Sequence, residues 1–189
     1  MNLPNKITLC RIAMIPLFVL FYYFTALPHH FLVCAIIFAV AAFTDFLDGY
    51  IARKHNLVAD MGKFLDPIAD KVLVLTALVL MLTNVGGGIL PALFGGICVA
   101  IVIARELIVS SLRMVAASKN VVIAADKLGK IKTVLQDVAI FILIFAFDFT
   151  GKIHNLLYWG GIVIFTLSMV MTVISGISYV VKNRKAFLD

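Results

Sequence analysis

The sequence predicts an all-α polytopic membrane protein built from six transmembrane helices. Three observations carry that expectation. Hydrophobic residues fill 63% of the 189 positions and charged residues only 14%, against the roughly 25% charge of an ordinary soluble domain. The apolar residues fall in runs, each supplying most or all of the ~20 positions a spanning helix requires. Cations gather on alternate connections, the bias that orients spans across a bilayer. A chain of this length, with short connections, leaves room for a single domain, 1–189, and for no soluble catalytic module. Any chemistry therefore belongs to the helices.

The first span covers about 7–27. Lys6 and Arg11 precede its apolar run much as in a signal peptide, but Leu27-Pro28-His29-His30 is a poor cleavage context and further spans follow, so a retained helix is expected. The second, about 31–53, ends in acidic residues and leads into a polar link, 54–63, where Asp60 reads as a helix cap or the partner of a nearby cation. The third, about 66–84, carries Pro67 in its first turn, where a missing N–H matters little, and gives way to the Gly86-Gly87-Gly88 turn. The fourth covers about 89–117, and Asp126 reads as the N-cap of the fifth, about 127–148. The sixth, about 154–181, runs into Lys182-Asn183-Arg184-Lys185, which suits an anionic inner leaflet or a plain stop-transfer flank. Tyr158 and Trp159 read as interfacial anchors, and the Phe-rich stretch 141–149 as lipid-facing or core packing. Cys10, Cys34 and Cys98 lie in apolar stretches without a CxxC spacing and read as small hydrophobes.

Orientation follows from the cations. The tails and even-numbered connections hold Lys6, Arg53, Lys54, Lys63, Lys119, Lys127, Lys182, Arg184 and Lys185, and the other side only Lys152. Both termini are therefore expected in the cytoplasm of a multi-pass cell-membrane protein.

Two pairs of aspartates interrupt this oily chain: Asp45 and Asp48 in Asp45-Phe46-Leu47-Asp48-Gly49-Tyr50-Ile51-Ala52-Arg53, then, eight residues on, Asp66 and Asp70 in Gly62-Lys63-Phe64-Leu65-Asp66-Pro67-Ile68-Ala69-Asp70. A carboxylate at a bilayer centre costs roughly 2.5–3.5 kcal/mol, less near the interface, so something must offset it. From Phe31 to Asp45 is 14 residues, as is Asp70 to Asn84, each about 21 Å at 1.5 Å per residue. Asp48 and Asp66 stand at about 26–27 Å by the same count. In an antiparallel pair the four acids share two adjacent levels, and the i,i+3 and i,i+4 spacings keep each pair on one helix face. Convergence in the cytoplasmic third of the membrane is expected. The donor set is all oxygen, the preference of Mg²⁺, Mn²⁺ or Ca²⁺. Gly49 and Gly62, costly inside helices, make sense where a ligand or backbone comes close. Arg53, at the mouth, would hold a phosphate. The competing reading makes the acids helix caps paired with Arg53, Lys63 and Lys71.

The pattern D-x-x-D-G-x-x-A-R, eight residues, G-x-x-x-D-x-x-x-D resembles the signature of the CDP-alcohol phosphatidyltransferases, and every position of it is present. The resemblance covers nearly the whole chain. It implies that fold, a cytoplasmic active site, and two divalent cations, Mg²⁺ or Mn²⁺, held by Asp45, Asp48, Asp66 and Asp70, with Asp70 also the general base. It also implies a nucleotide and CDP-lipid pocket formed by Asp48, Gly49, Ala52, Arg53 and Gly62, and a homodimer. The implied reaction is attack of an alcohol hydroxyl on the β-phosphorus of a CDP-linked lipid, with CMP leaving.

The remaining cations favour an anionic acceptor. Arg105 and Arg113 lie on the fourth span, and Lys130 and Lys132 open the fifth. A neutral acceptor would not need them; a phosphate would, and Arg grips it bidentately. Positive-inside flanking is the plainer account, strongest for Lys127 and Lys130 and weakest for Arg105, deep in an apolar run. Glu106 would pair with Arg105 or a lysine, and Asp137 would orient a basic side chain. With the opening residues 2–11, these segments resemble the family branch that joins sn-glycerol 3-phosphate to CDP-diacylglycerol. Arg105, Arg113, Lys130 and Lys132 would then bind the acceptor phosphate, with Thr8 and Arg11 lining the same mouth. One departure is Ser111, where that branch has glycine before Leu-Arg. The expected partners are those two substrates and membrane lipid, with no nucleic acid. Rivals are a cardiolipin, phosphatidylserine or phosphatidylinositol-phosphate synthase of the same family, and a divalent-cation transporter. The transporter reading is disfavoured because carriers place their site near midplane between repeated halves, and no repeat is visible here.

Overall fold

A computed structural model describes residues 3–55, 71–83, 85–118 and 127–184. Within those residues the chain is helical and contains no strand. The helices are α1 (Leu3–Tyr23), α2 (His30–His55), α3 (described over Lys71–Leu80), α4 (Ala92–Ser118), α5 (Lys127–Ala146) and α6 (Gly151–Asn183). Each expected span overlaps one of them. By length and apolar composition α4 and α6 can each cross a bilayer, while Leu9–Tyr23, His30–Thr44 and Lys71–Leu80 are shorter apolar stretches.

The helix ends depart from the expected spans for local reasons. α1 stops at Tyr23 and the chain turns, Thr25 N–H donating to the Tyr23 carbonyl (2.9 Å) and Leu27 N–H to that of Phe24 (3.1 Å), while Pro28 keeps Leu27 out of helical geometry. His29 then takes a left-handed φ of 62°. Its Nδ1 lies 2.6 Å from Oδ2 of Asp148, a nearly buried carboxylate 119 positions away. After α3 the chain reverses through Gly87 and Gly88, whose φ values of 93° and 84° suit residues without a Cβ. Leu90 N–H closes the reversal on the Met81 carbonyl (3.0 Å). α4 starts at Ala92 rather than 89, since Pro91 sits at the helix entrance and its carbonyl accepts the Gly95 N–H at 2.7 Å.

Packing is densest between α5 and α6 and between α1 and α2, with α2 also against α5 and α4 against α6. An aromatic chain links these pairs. Phe18 of α1 lies 6.2 Å from Phe38 of α2, and Tyr22 lies 5.6 Å from Phe31. Phe31 meets Phe147 at 5.7 Å, and Phe147 meets Tyr158 of α6 at 6.0 Å. Tyr158 is thus half core, stacked on His154, whereas Trp159 is exposed. Phe141 and Phe145 stack on each other at the core's edge, as expected of packing residues. Cys34 and Cys98 are buried thiols and Cys10 an exposed one.

Lipid is as apolar as leucine, so helices in a bilayer associate by close fit and interhelical polar contacts rather than by hydrophobic expulsion. α6 is built for that. Gly161, Phe165, Ser168, Thr172, Ser175 and Tyr179 are buried at alternating intervals of four and three, one stripe along the helix. The Ser168, Thr172 and Ser175 hydroxyls donate back to carbonyls of the preceding turn at 2.7, 2.7 and 3.1 Å, so they pack as small groups without stranded donors. At Gly161 a Cβ would stand 2.8 Å from Cγ and Cδ2 of Leu143 on α5.

Gly161→Val should therefore force α5 and α6 apart, an overpacking penalty of about 1–3 kcal/mol. That corresponds to a fall of roughly 2–12 °C in the Tm of the detergent-solubilised protein. Gly160→Val, where no atom lies within 4 Å of an added Cβ, should leave Tm unchanged; equal effects of the two would refute the close-fit account.

Candidate functional site

Helical periodicity brings one face of each of three helices together. Val102, Glu106 and Arg113 recur at intervals of four and seven on α4, and Gly129, Thr133 and Gln136 at four and three on α5. With Lys71, Val74 and Leu75 of α3 they line a cavity of about 260 Å³. That is below the ~300–1,000 Å³ of drug-sized sites and suits a small polar molecule. Among the described lining residues cations outnumber carboxylates five to two: Lys71, Arg105, Arg113, Lys130 and Lys132 against Glu106 and Asp137.

Glu106 organises these charges. Its Oε1 accepts from Nη1 of Arg105 at 2.8 Å and from Nζ of Lys132 at 2.8 Å, while Lys71 Nζ lies 3.8 Å from Oε2 and also donates to Ser110 Oγ. Lys132 is almost fully buried, and a cation so placed needs a hydrogen-bonded counter-charge. The one carboxylate answers three cations, so the cluster keeps excess positive charge facing the cavity.

Arg105 is held on several sides. Its Nη2 lies 3.4 Å from Ser175 Oγ on α6. A Cβ at Gly129 would be 3.2 Å from that same nitrogen, and one at Gly176 would be 3.2 Å from the Arg105 Cγ. The two glycines thus form the slot in which the side chain lies. The far wall of Arg105 borders a second hollow, about 350 Å³ and wholly apolar, between Ile108, Val173 and Ile177. Arg113, at the exposed rim, donates from Nε to the Tyr179 hydroxyl (3.3 Å), its guanidinium carbon 5.5 Å from the ring centroid. That bond uses Nε, not the terminal pair that grips an oxyanion bidentately. The cavity is graded, with exposed Arg113 and Lys130 at the rim, Arg105 and Glu106 half-buried, and Lys132 and Gln136 buried.

Of the residues expected at the acceptor site, Arg105, Arg113, Lys130 and Lys132 come together here. Arg11 is buried on α1 but is not among the cavity's described lining residues. The Thr8 side chain lies outside the described residues. Asp45, Asp48, Gly49, Ala52 and Arg53 fall on α2, which continues unbroken to His55. Their side chains, and Gly62, Asp66 and Asp70 altogether, lie outside the described residues. Among the described residues no three His, Cys, Asp or Glu side chains cluster as a metal site.

Sequence reasoning missed Gln136, Ser175, Gly129, Gly176 and Tyr179, and named Lys71 only as a counter-charge. A signal existed on α6: Ser168, Thr172, Ser175 and Tyr179 form a polar stripe at helical spacing in an apolar helix. Polar residues in spans generally mark helix contacts or sites.

Residues 1–181 match the family model described as CDP-alcohol phosphatidyltransferase. Three curated relatives are named CDP-diacylglycerol--glycerol-3-phosphate 3-phosphatidyltransferase. The protein of Rickettsia bellii is 39% identical over 188 residues, covering 98% of this chain and 97% of its own. That of Bacillus subtilis is 39% identical over 202 residues, 98% of this chain and 96% of its own. That of Escherichia coli K12 is 38% identical over 192 residues, 100% of this chain and 98% of its own. With a model match across nearly its whole length and relatives of this similarity end to end, the chain belongs to the CDP-alcohol phosphatidyltransferases.

Proposed function

We propose that this chain transfers the phosphatidyl group of CDP-diacylglycerol to sn-glycerol 3-phosphate, yielding phosphatidylglycerophosphate and CMP. The observation that carries this reading is the Arg105–Lys132–Glu106 cluster, a cationic pocket whose wall includes Lys71, the residue next in sequence to Asp70. A site for a small anion thus adjoins the segment bearing the family's acidic motif. The relatives' printed name, over nearly full length, supports the same acceptor.

In this mechanism Arg105 and Lys132, preset by Glu106, hold the acceptor phosphate, and Arg113 and Lys130 draw it in at the rim. Charge-assisted bonds of this kind are short and directional, so the acceptor's primary hydroxyl is left pointing away from the anion clamp. Asp70 takes the proton from that hydroxyl as its oxygen bonds to the β-phosphorus. The bond from that phosphorus to the bridging oxygen breaks, and CMP departs with the electron pair. Arg53 contacts the nucleotide phosphate, and Asp48, Gly49, Ala52 and Gly62 border the nucleotide. Asp45, Asp48, Asp66 and Asp70 form an oxygen-only donor set, which suits two Mg²⁺ or Mn²⁺ ions. When bound, such ions neutralise the diphosphate and stabilise the entering and leaving oxygens.

Six spans with both termini and the site on the cytoplasmic side of the cell membrane complete the proposal, as does a homodimer. The topology lets diacyl chains stay in lipid while the headgroup meets a water-soluble acceptor. The many cations disfavour inositol, serine or a neutral lipid as acceptor.

An acceptor panel on the purified protein should give Mg²⁺- or Mn²⁺-dependent CMP release with glycerol 3-phosphate. Turnover with serine or inositol 1-phosphate alone would overturn the choice. Asp70→Asn should cut kcat by ~10²–10⁴, the usual contribution of a positioned base, with CDP-lipid binding retained. Arg113→Ala should raise KM for glycerol 3-phosphate about 10–100-fold, as expected for a charge-assisted bond of about 1.5–3 kcal/mol, with little change for the lipid. Tyr179→Phe, which only loosens Arg113, should raise the same KM about 2–10-fold, a neutral hydrogen bond's share. A parallel rise in the lipid KM for either variant would count against the acceptor role.

A further inference from the structure

Gln136 is a fully buried neutral polar group of the cavity that the anion clamp does not use. It lies on α5, is 1% exposed and lines the cavity, yet among the described residues neither its Nε2 nor its Oε1 has a hydrogen-bond partner. An amide buried unpaired is costly, and native structures tolerate few such groups unless a ligand or water satisfies them. Helical geometry sets Gln136 one turn from Lys132, on the same face and about 6 Å further along the axis. The amide therefore stands beside the anion clamp, not within it.

Its chemistry differs from that of its neighbours. Lys132, Arg105 and Arg113 are donors only, matched to a phosphate that only accepts. A neutral carboxamide presents one acceptor and two donors, the complement of a hydroxyl, which both donates and accepts. A phosphate oxygen facing Oε1 would be repelled. We infer that Gln136 is a specificity-determining residue that pairs with the secondary hydroxyl of a phosphorylated polyol acceptor, reading the carbon between the phosphate and the reacting primary alcohol. The inference rests on the acceptor site proposed above and deepens it: the cations select for the anion, and Gln136 selects for the hydroxyl beside it. A site with a buried amide waiting for a hydroxyl rejects the analogue lacking that hydroxyl, because the amide then stays unpaired.

The test uses the full-length protein in detergent with Mn²⁺ and CDP-diacylglycerol, measuring CMP release with sn-glycerol 3-phosphate and with 3-hydroxypropyl phosphate. The second acceptor keeps the phosphate and the reacting alcohol and lacks only the secondary hydroxyl. The native protein should prefer glycerol 3-phosphate by about 10²-fold or more in kcat/KM. In Gln136→Met, similar in length and apolar, that preference should fall to within about threefold, through loss of glycerol 3-phosphate turnover. The acceptor-free Tm of the variant should not fall, since an unsatisfied amide contributes nothing to the empty fold. A native protein indifferent to the secondary hydroxyl would overturn the inference. So would an equal loss on both acceptors, an unchanged preference, or a lowered Tm. Those outcomes leave the transferase reading intact; absence of CMP release from native protein with either acceptor overturns both.

Discussion

Lys132 at 3% exposure and Arg105 with a side chain 14% exposed can sit inside an apolar bundle only because Glu106 lies 2.8 Å from each. Without the carboxylate, two like charges would share a poorly solvated space, and each would carry a desolvation penalty of several kcal/mol with nothing to offset it. With it, the pair is held at fixed positions before any ligand arrives. The third cation, Lys71 at 3.8 Å, ties α3 to the same point and so links the segment following Asp70 to α4 and α5. One side chain thus relates three helices and sets the sign of the cavity between them.

That arrangement requires α6 to come close behind it. Ser175 and Tyr179 belong to the stripe that buries Gly161, Phe165 and Thr172, so the same face that packs the bundle supplies the hydroxyls that touch Arg105 and Arg113. Small residues let the helices approach, and the approach places the hydroxyls within reach. Gly129 and Gly176 extend the logic to the site itself, where a Cβ at either would crowd the Arg105 side chain at 3.2 Å. Packing and charge placement are therefore one constraint, and loosening the α5–α6 contact would also loosen the anion clamp.

The helical architecture was legible because apolar runs in a chain this poor in charge have few alternatives. Helix ends were less so: α1 stops short at Tyr23, and the His29–Asp148 contact beside that turn joins residues 119 positions apart, which no local pattern reveals. Arg105 announced itself by the cost of a guanidinium in an apolar run. The role of Glu106 did not, since a carboxylate flanked by several basic residues has no sequence rule for choosing among them, and tertiary contact decides. Gln136 and Tyr179 were silent because neutral polar residues occur in spans as ordinary packing, and only burial without a partner, or contact with a rim arginine, distinguishes them. The aspartate motif stood out by sequence alone; its side chains lie outside the described residues, so its convergence rests on spacing.

The presence of a carboxylate in a site meant for an anion has its own logic under the proposed reaction. The acceptor phosphate is not altered by the transfer; it enters on the alcohol and leaves on the lipid product. Affinity for it is therefore the same before and after chemistry, and such uniform binding lowers KM without raising kcat. A pocket in which Arg105, Lys132 and Lys71 went unanswered would hold the product as firmly as the substrate and slow its escape into the bilayer. Glu106 withdraws part of that field while keeping Arg105 and Lys132 in position, so the site trades depth of binding for geometry. Geometry is what the reaction uses, because a phosphate held in a fixed direction fixes the line along which the hydroxyl at the other end of a three-carbon chain is presented, and orientation lowers a barrier where tighter grip alone does not.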